Sequence, residues 1–212
     1  MRPHPLAEAQ WQSEDGATRL IRLWQISPAK REAEEIVGRL VRILGKHDSI
    51  IELGCGAGLI IPHLPKFKRY LGYDTSAYLL AEALDRYEAD KRCRFDMRDM
   101  FDIPKYRLRR PVDVVICVHV ARHYLDPVKV LRQAIHWPAR GYVLSALHGP
   151  ERRDLLNGIC LATEELDAFL IEAGETVDFV EQPVGDAMMV RYVALRPRQV
   201  DGPKEAMRRR QR

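Results

Sequence analysis

The segment Glu52-Leu53-Gly54-Cys55-Gly56-Ala57-Gly58 constrains this 212-residue chain more than any other. Ser49 to Leu53 is a short apolar run suited to a buried strand, and three glycines spaced two apart follow it. Without a Cβ, such a loop can turn sharply and bring its backbone within contact distance of a ligand that a side chain would displace. Leu59 to Leu64 can then resume as a helix, which gives strand, glycine loop and helix in order. In open sheets of parallel strands, ligands bind beyond the carboxyl ends of the strands, so strand ends decide function.

The rest of the chain repeats this alternation. Ser27-Pro28 offers an N-cap and a proline at the first helical position, followed by Ile36, Val37, Leu40, Val41 and Leu44 at helical spacing up to Gly45. Tyr70 to Asp74 reads as a second strand, and Ser76 caps a helix carrying Leu79, Leu80, Ala83, Leu84 and Tyr87. Cys93 to Met97, Val112 to Val118 and Tyr142 to Leu147 supply three more strands, with a helix from Asp126-Pro127 before the last. Thr163-Glu164-Glu165 opens a final helix that Gly174 closes, and Pro183-Val184-Gly185-Asp186 marks a hairpin between Val177–Phe179 and Met188–Leu195.

The pattern predicts an α/β, Rossmann-like fold: a mostly parallel seven-stranded sheet, helices on both faces and an antiparallel C-terminal hairpin strand. Residues 27–197 form the main domain. Residues 1–26 show no strong period and are a candidate lid, since Trp11, Arg19 and Trp24 could fold over a ligand. Residues 198–212 are expected to be a basic flexible tail.

Composition excludes other classes. With 46% apolar and 30% charged residues, the chain is neither a disordered polymer nor a coiled coil. No run approaches the roughly 18 apolar residues of a membrane span, and Met1-Arg2-Pro3-His4-Pro5 lacks a secretory apolar segment, so a cytoplasmic location without membrane contact is expected. The net charge of +4 is concentrated at the end: residues from Arg196 onward carry +5 and the body −1, weak support for a nucleic-acid partner. Cys55, Cys93, Cys117 and Cys160 are 38, 24 and 43 residues apart, without metal-ligand spacing, so reduced thiols and no metal are expected.

Four strand ends carry candidate chemistry. The glycine loop lacks the third glycine of a dinucleotide fingerprint, since position 59 is Leu, which argues against a nicotinamide enzyme. Asp74 ends the second strand, where a carboxylate can accept both hydroxyls of a ribose or instead cap the next helix. Asp99, beyond the third strand, could accept an adenine amino group. His119 and His123 follow the fourth strand, and a histidine near pKa 6.5 can take a proton at neutral pH or simply pack. His148, after the fifth strand, is a further candidate for substrate contact.

These motifs, in this order, resemble the class I S-adenosylmethionine-dependent methyltransferases over roughly residues 30 to 195. Glu52 to Gly58 is similar to that family's glycine motif, Asp74 to its ribose-binding acid, Asp99-Met100 to its adenine-flanking pair and Asp113-Val114-Val115-Ile116-Cys117 to its fourth-strand motif. Arg98 departs from the pattern, because glycine commonly precedes the adenine-side acid. The resemblance implies that Glu52, Gly54, Cys55, Gly56, Gly58, Asp74, Thr75, Asp99, Met100 and Val118 hold S-adenosylmethionine. It also implies methyl transfer to an O or N nucleophile of a small molecule by in-line displacement, with His123 and His119 as candidate bases.

The fourth strand does not run into Asn/Asp-Pro-Pro-aromatic, and Cys117 is not preceded by proline, which disfavours DNA amino-group and cytosine-C5 methylation. An RNA-directed methyltransferase, or a noncatalytic RNA-associated factor using the basic tail, is the alternative. The sequence sets no oligomeric state and does not name the acceptor, whose pocket is expected to form from the N-terminal segment and the loops at 101–111 and 148–162.

Overall fold

The computed structural model describes residues 3, 5–102, 111–155, 158–185 and 187–198, apart from the side chains of Leu6 and Ala7. The strands are β1 (Ser49–Leu53), β2 (Arg69–Asp74), β3 (Cys93–Met97), β4 (Val112–Cys117), β5 (Ala139–Gly149), β6 (Arg153–Leu155), β7 (Gly158–Ala162), β8 (Gly174–Pro183) and β9 (Met189–Pro197). The helices are α1 (Pro5–Trp11), α2 (Glu14–Ile26), α3 (Pro28–Ile43), α4 (Ala77–Arg86), α5 (Pro127–Ile135) and α6 (Thr163–Ala173). Residues 199–212, most of the expected basic tail, and 103–110, within a loop expected to help form the acceptor pocket, lie outside the described residues.

The main sheet runs β3-β2-β1-β4-β5, all parallel, and continues with β9 antiparallel to β5 and β8 antiparallel to β9. Those are the seven expected strands. Among the described residues the sheet contains nine, however, because β6 and β7 form a ribbon within the span 148–162 that was expected to be a loop. Strand β9 occupies one edge of β5 along Tyr142–His148, so β7, which pairs with His148 and Gly149, must take the other edge, beyond the end of β4. The ribbon therefore stands beside the segment that carries His119 and His123.

The alternation of side chains sorts the core into two layers. Ile51, Val115 and Leu144 face α5 and α6 through Val130, Leu131, Leu166 and Phe169, while Ile50, Val114 and Val143 face α3 through Val37, Leu40 and Val41. The caps follow the sequence: the Ser27, Ser76 and Asp126 side chains accept the amides of Lys30, Leu79 and Lys129.

Two local expectations are corrected. Leu59–Leu64 is not a helix but a single 3₁₀ turn at Ile61–His63. Pro65 holds Leu64 in an extended conformation (φ −69°, ψ 145°) and leaves no room for an α-turn. Residues 1–26 are not aperiodic arm but two helices. Ser13 accepts the Gly16 amide and so starts α2, which buries Ala17 and Ile21 against Ala57 and Leu79.

Candidate active site

The loop after β1 is built on positive φ angles: 77° at Gly54, 51° at Gly56 and 68° at Gly58. The amides of Gly54 and Cys55 both donate to the Tyr73 carbonyl, at 2.7 and 3.0 Å, which fastens the loop to the end of β2. A Cβ at Gly54 would lie 2.2 Å from Val120 Cγ2. At Gly56, by contrast, an added Cβ would meet Leu79 Cδ1 and Trp24 Cζ3 at ordinary contact distance, both at 3.8 Å, and the residue lines an open space.

The open space is a cavity of about 330 Å³ at the carboxyl ends of β1, β2 and β4. It is lined by Glu52, Gly54, Cys55, Gly56, Asp74, Thr75, Met100 and Val118 from the expected cofactor set, and by both His119 and His123. Asp74 reaches across to the glycine loop: its Oδ2 accepts the Gly56 amide at 2.7 Å and its Oδ1 the Ser76 amide at 2.9 Å. Burial raises the pKa of this carboxyl, and the amides of Ser76, Gly56 and Thr75 oppose the shift. Three amides on a group with about four acceptor positions leave room for a ligand hydroxyl as well.

Two expected cofactor residues do not line the cavity. Gly58 is turned toward Tyr87, whose hydroxyl donates to the Gly58 carbonyl at 2.9 Å. Asp99 Oδ1 accepts the Phe101 amide at 2.9 Å and so closes its own turn, while Arg98 lines the cavity in its place. Nor does His148: it is buried, with Nδ1 3.0 Å from Thr163 Oγ1 and Nε2 3.2 Å from Glu181 Oε1.

Glu52 sits at the floor of the cavity, 4% exposed, and accepts a hydrogen bond from the Tyr70 hydroxyl. Burial pushes its pKa up to about 8, only partly offset by Tyr70 and by the Lys30 ammonium. Lys30, in the first turn of α3, also lines the cavity, lies over the Trp24 ring at 5.8 Å and pairs with Glu34 at 3.5 Å. No motif in the sequence marks it.

Helices α1 and α2 cover the opening. The Ser76 hydroxyl donates to the Trp11 carbonyl, Gln12 Nε2 donates to the Thr75 carbonyl at 3.5 Å, and Pro3 bridges to Tyr124. The Trp11 ring meets His123 edge-on, with centroids 5.1 Å apart. His119 has a left-handed backbone (φ 60°), uncommon for a residue with a side chain, and its amide is held by Ser145 Oγ at 2.7 Å. Burial, reinforced by Lys30, His123 and Arg122, drives the imidazole pKa well below the usual histidine range, so the ring is neutral at physiological pH.

Residues 51–139 match the family described as "Methyltransferase domain". A search of curated proteins finds no match. Among solved structures, the chain is similar to the N-methyltransferase NodS of Bradyrhizobium japonicum WM9 in complex with S-adenosyl-L-homocysteine. That similarity has a TM-score of 0.71 at 18% identity and covers 92% of this chain and 98% of that one. It is also similar to magnesium protoporphyrin IX methyltransferase (ChlM) of Synechocystis PCC 6803 with bound SAM, with a TM-score of 0.69 at 17% identity, covering 91% and 96%. The N-terminal domain of EvdMO1, crystallised with SAH and D-fucose, gives a TM-score of 0.65 at 18% identity, covering 82% and 84%. Residues 51–139 thus match a methyltransferase domain, and the fold is the one shared by these S-adenosylmethionine-dependent methyltransferase structures.

Proposed function

We propose that the cavity holds S-adenosylmethionine and that the enzyme methylates an O or N nucleophile of a small molecule. The observation that carries this is the cradle: Gly56 borders open cavity on one side and is hydrogen-bonded to the carboxylate of Asp74 on the other. A nucleoside would rest against Gly54–Gly56, with its ribose hydroxyls on Asp74 and Met100 and Val118 flanking the base; Glu52, Cys55 and Thr75 complete the wall. Gly58 and Asp99 act on the fold of their loops rather than on the ligand.

When bound, the cofactor supplies a sulfonium methyl group already activated for displacement. The protein's part is alignment, which can contribute about 7–11 kcal/mol, together with removal of a proton from the nucleophile, worth about 10²–10⁴-fold. His119 and His123 are the neighbouring groups able to accept it, and the α1–α2 lid excludes water. The NodS, ChlM and EvdMO1 comparisons support a small-molecule acceptor. Among the described residues no helix is long and apolar enough to cross a membrane. All four cysteines are free, which suits the cytoplasm.

The test is native mass spectrometry of the freshly purified chain, followed by a screen of small hydroxyl and amine compounds for homocysteine-nucleoside release. Retained S-adenosylhomocysteine, or methylation of a compound in the screen, supports the assignment. A chain that is folded, binds neither nucleoside and methylates only RNA overturns it.

A further inference from the structure

The contacts behind His119 bear on where its proton lies. Gln182, on β8, donates through Nε2 to Glu32 Oε2 at 2.8 Å and to the Ala29 carbonyl at 3.3 Å, both at the start of α3. Two acceptors on that nitrogen fix the amide's orientation, so its Oε1 must be the atom facing the Tyr192 hydroxyl at 3.2 Å. The same hydroxyl lies 3.3 Å from His119 Nε2, on the strand paired with β8.

Two contacts meet at one hydroxyl, and each needs a proton. The Tyr192 hydroxyl has one, and Gln182 Oε1 has none, so the hydroxyl donates to Gln182 and the second proton must come from His119. We infer that Gln182 and Tyr192 are positioning residues that hold His119 in its Nε2–H form and leave Nδ1 as the unprotonated nitrogen offered to the methyl acceptor. Because burial, Lys30, Arg122 and His123 keep the ring uncharged, it has one proton to place, and its placement decides what the residue can do.

The inference rests on the methyltransferase reading and narrows it. An unprotonated Nδ1 in a cavity-lining histidine recognises a hydrogen-bond donor, so the acceptor presents an O–H or N–H group. A tertiary amine or thioether, having no proton to give, gains nothing from it. As the nucleophile's lone pair bonds to the methyl carbon, the carbon–sulfur bond would break with its electron pair staying on the sulfur of the departing S-adenosylhomocysteine, and the nucleophile's proton passes to Nδ1; the resulting imidazolium keeps its Nε2–H on Tyr192, and no further proton moves.

The experiment is long-range nitrogen–proton NMR of the full chain with ¹⁵N-labelled histidine, with S-adenosylhomocysteine binding measured on the same samples. The wild type should show His119 as the Nε2–H form. Gln182→Leu releases the tyrosine proton to the ring and should convert His119 largely to the Nδ1–H form. Tyr192→Phe, which removes the acceptor, should leave a mixture. Both variants should still bind S-adenosylhomocysteine within about threefold of the wild type. An Nδ1–H wild type, or an unchanged form in Gln182→Leu, overturns the inference. If the nucleoside does not bind to the wild type either, it is the methyltransferase assignment of the cavity that fails, while the spectra still report the ring.

Discussion

Asp74 Oδ2 accepts the Gly56 amide at 2.7 Å, so the acid ending β2 and the middle glycine of the β1 loop form one hydrogen-bonded unit at the mouth of the cavity. Asp74→Ala removes this bond and the one from Ser76 together. Hydrogen bonds to a charged group are worth about 1.5–3 kcal/mol each, so losing a single ligand contact should weaken S-adenosylhomocysteine binding at least about tenfold. Titration calorimetry reads the change, and an unaltered affinity would remove Asp74 from the site.

Gly56→Val acts on the same unit from the other side. A β-branched residue at φ 51° costs about 1–2 kcal/mol of backbone strain, and its side chain would enter the cavity. Nucleoside binding should be lost while the melting temperature falls by only about 2–8 °C. Differential scanning calorimetry with and without S-adenosylhomocysteine separates the two effects: the variant should show no ligand-induced rise.

The parts of the site that were legible in the sequence are those fixed by backbone chemistry. Gly54 and Gly56 after an apolar run, and an acid ending the next run, came together because parallel pairing of β1 with β2 brings Leu53 level with Tyr73, whereas Gly58 turned away toward Tyr87. What the sequence did not show depends on tertiary support. Helix α2 was missed although Ser13-Glu14-Asp15 is an N-cap with an acidic first turn, and Ala17, Leu20, Ile21 and Trp24 keep helical spacing. That stripe is short, and it is buried only because Ala57 and Leu79 wait beneath it. The β6–β7 ribbon was missed because three-residue β6 has no period of its own; the overhang of β5 past β4 recruits its partner. Asp99 follows its own turn geometry, which no residue pattern announces.

Glu52 makes stability depend on pH. Unfolded, its carboxyl releases its proton near 4.3; folded, it holds the proton to about 8. Between these values the folded state binds more protons, so this contribution is fully present below the lower value and is lost as pH rises through the upper one, with a slope of up to about 1.4 kcal/mol per unit. Melting temperatures from pH 5 to 8.5 should fall less steeply in Glu52→Gln than in the wild type. Parallel curves would show that Glu52 is already ionised in the fold.

The Trp11–His123 edge contact ties helix α1 to the segment after β4. Aromatic pairs of this kind contribute about 0.5–1.5 kcal/mol beyond area burial, so Trp11→Ala should speed release of bound S-adenosylhomocysteine by about two- to tenfold. Stopped-flow displacement measures that rate; an unchanged rate means the lid does not gate the cavity.

Calorimetric titration of the intact chain with S-adenosylhomocysteine tests the central claim most directly. A single site per chain that stabilises the fold, and that Gly56→Val abolishes, is the expected result. A fully folded chain that takes up no nucleoside, or one whose affinity is untouched by a valine at position 56, contradicts the account.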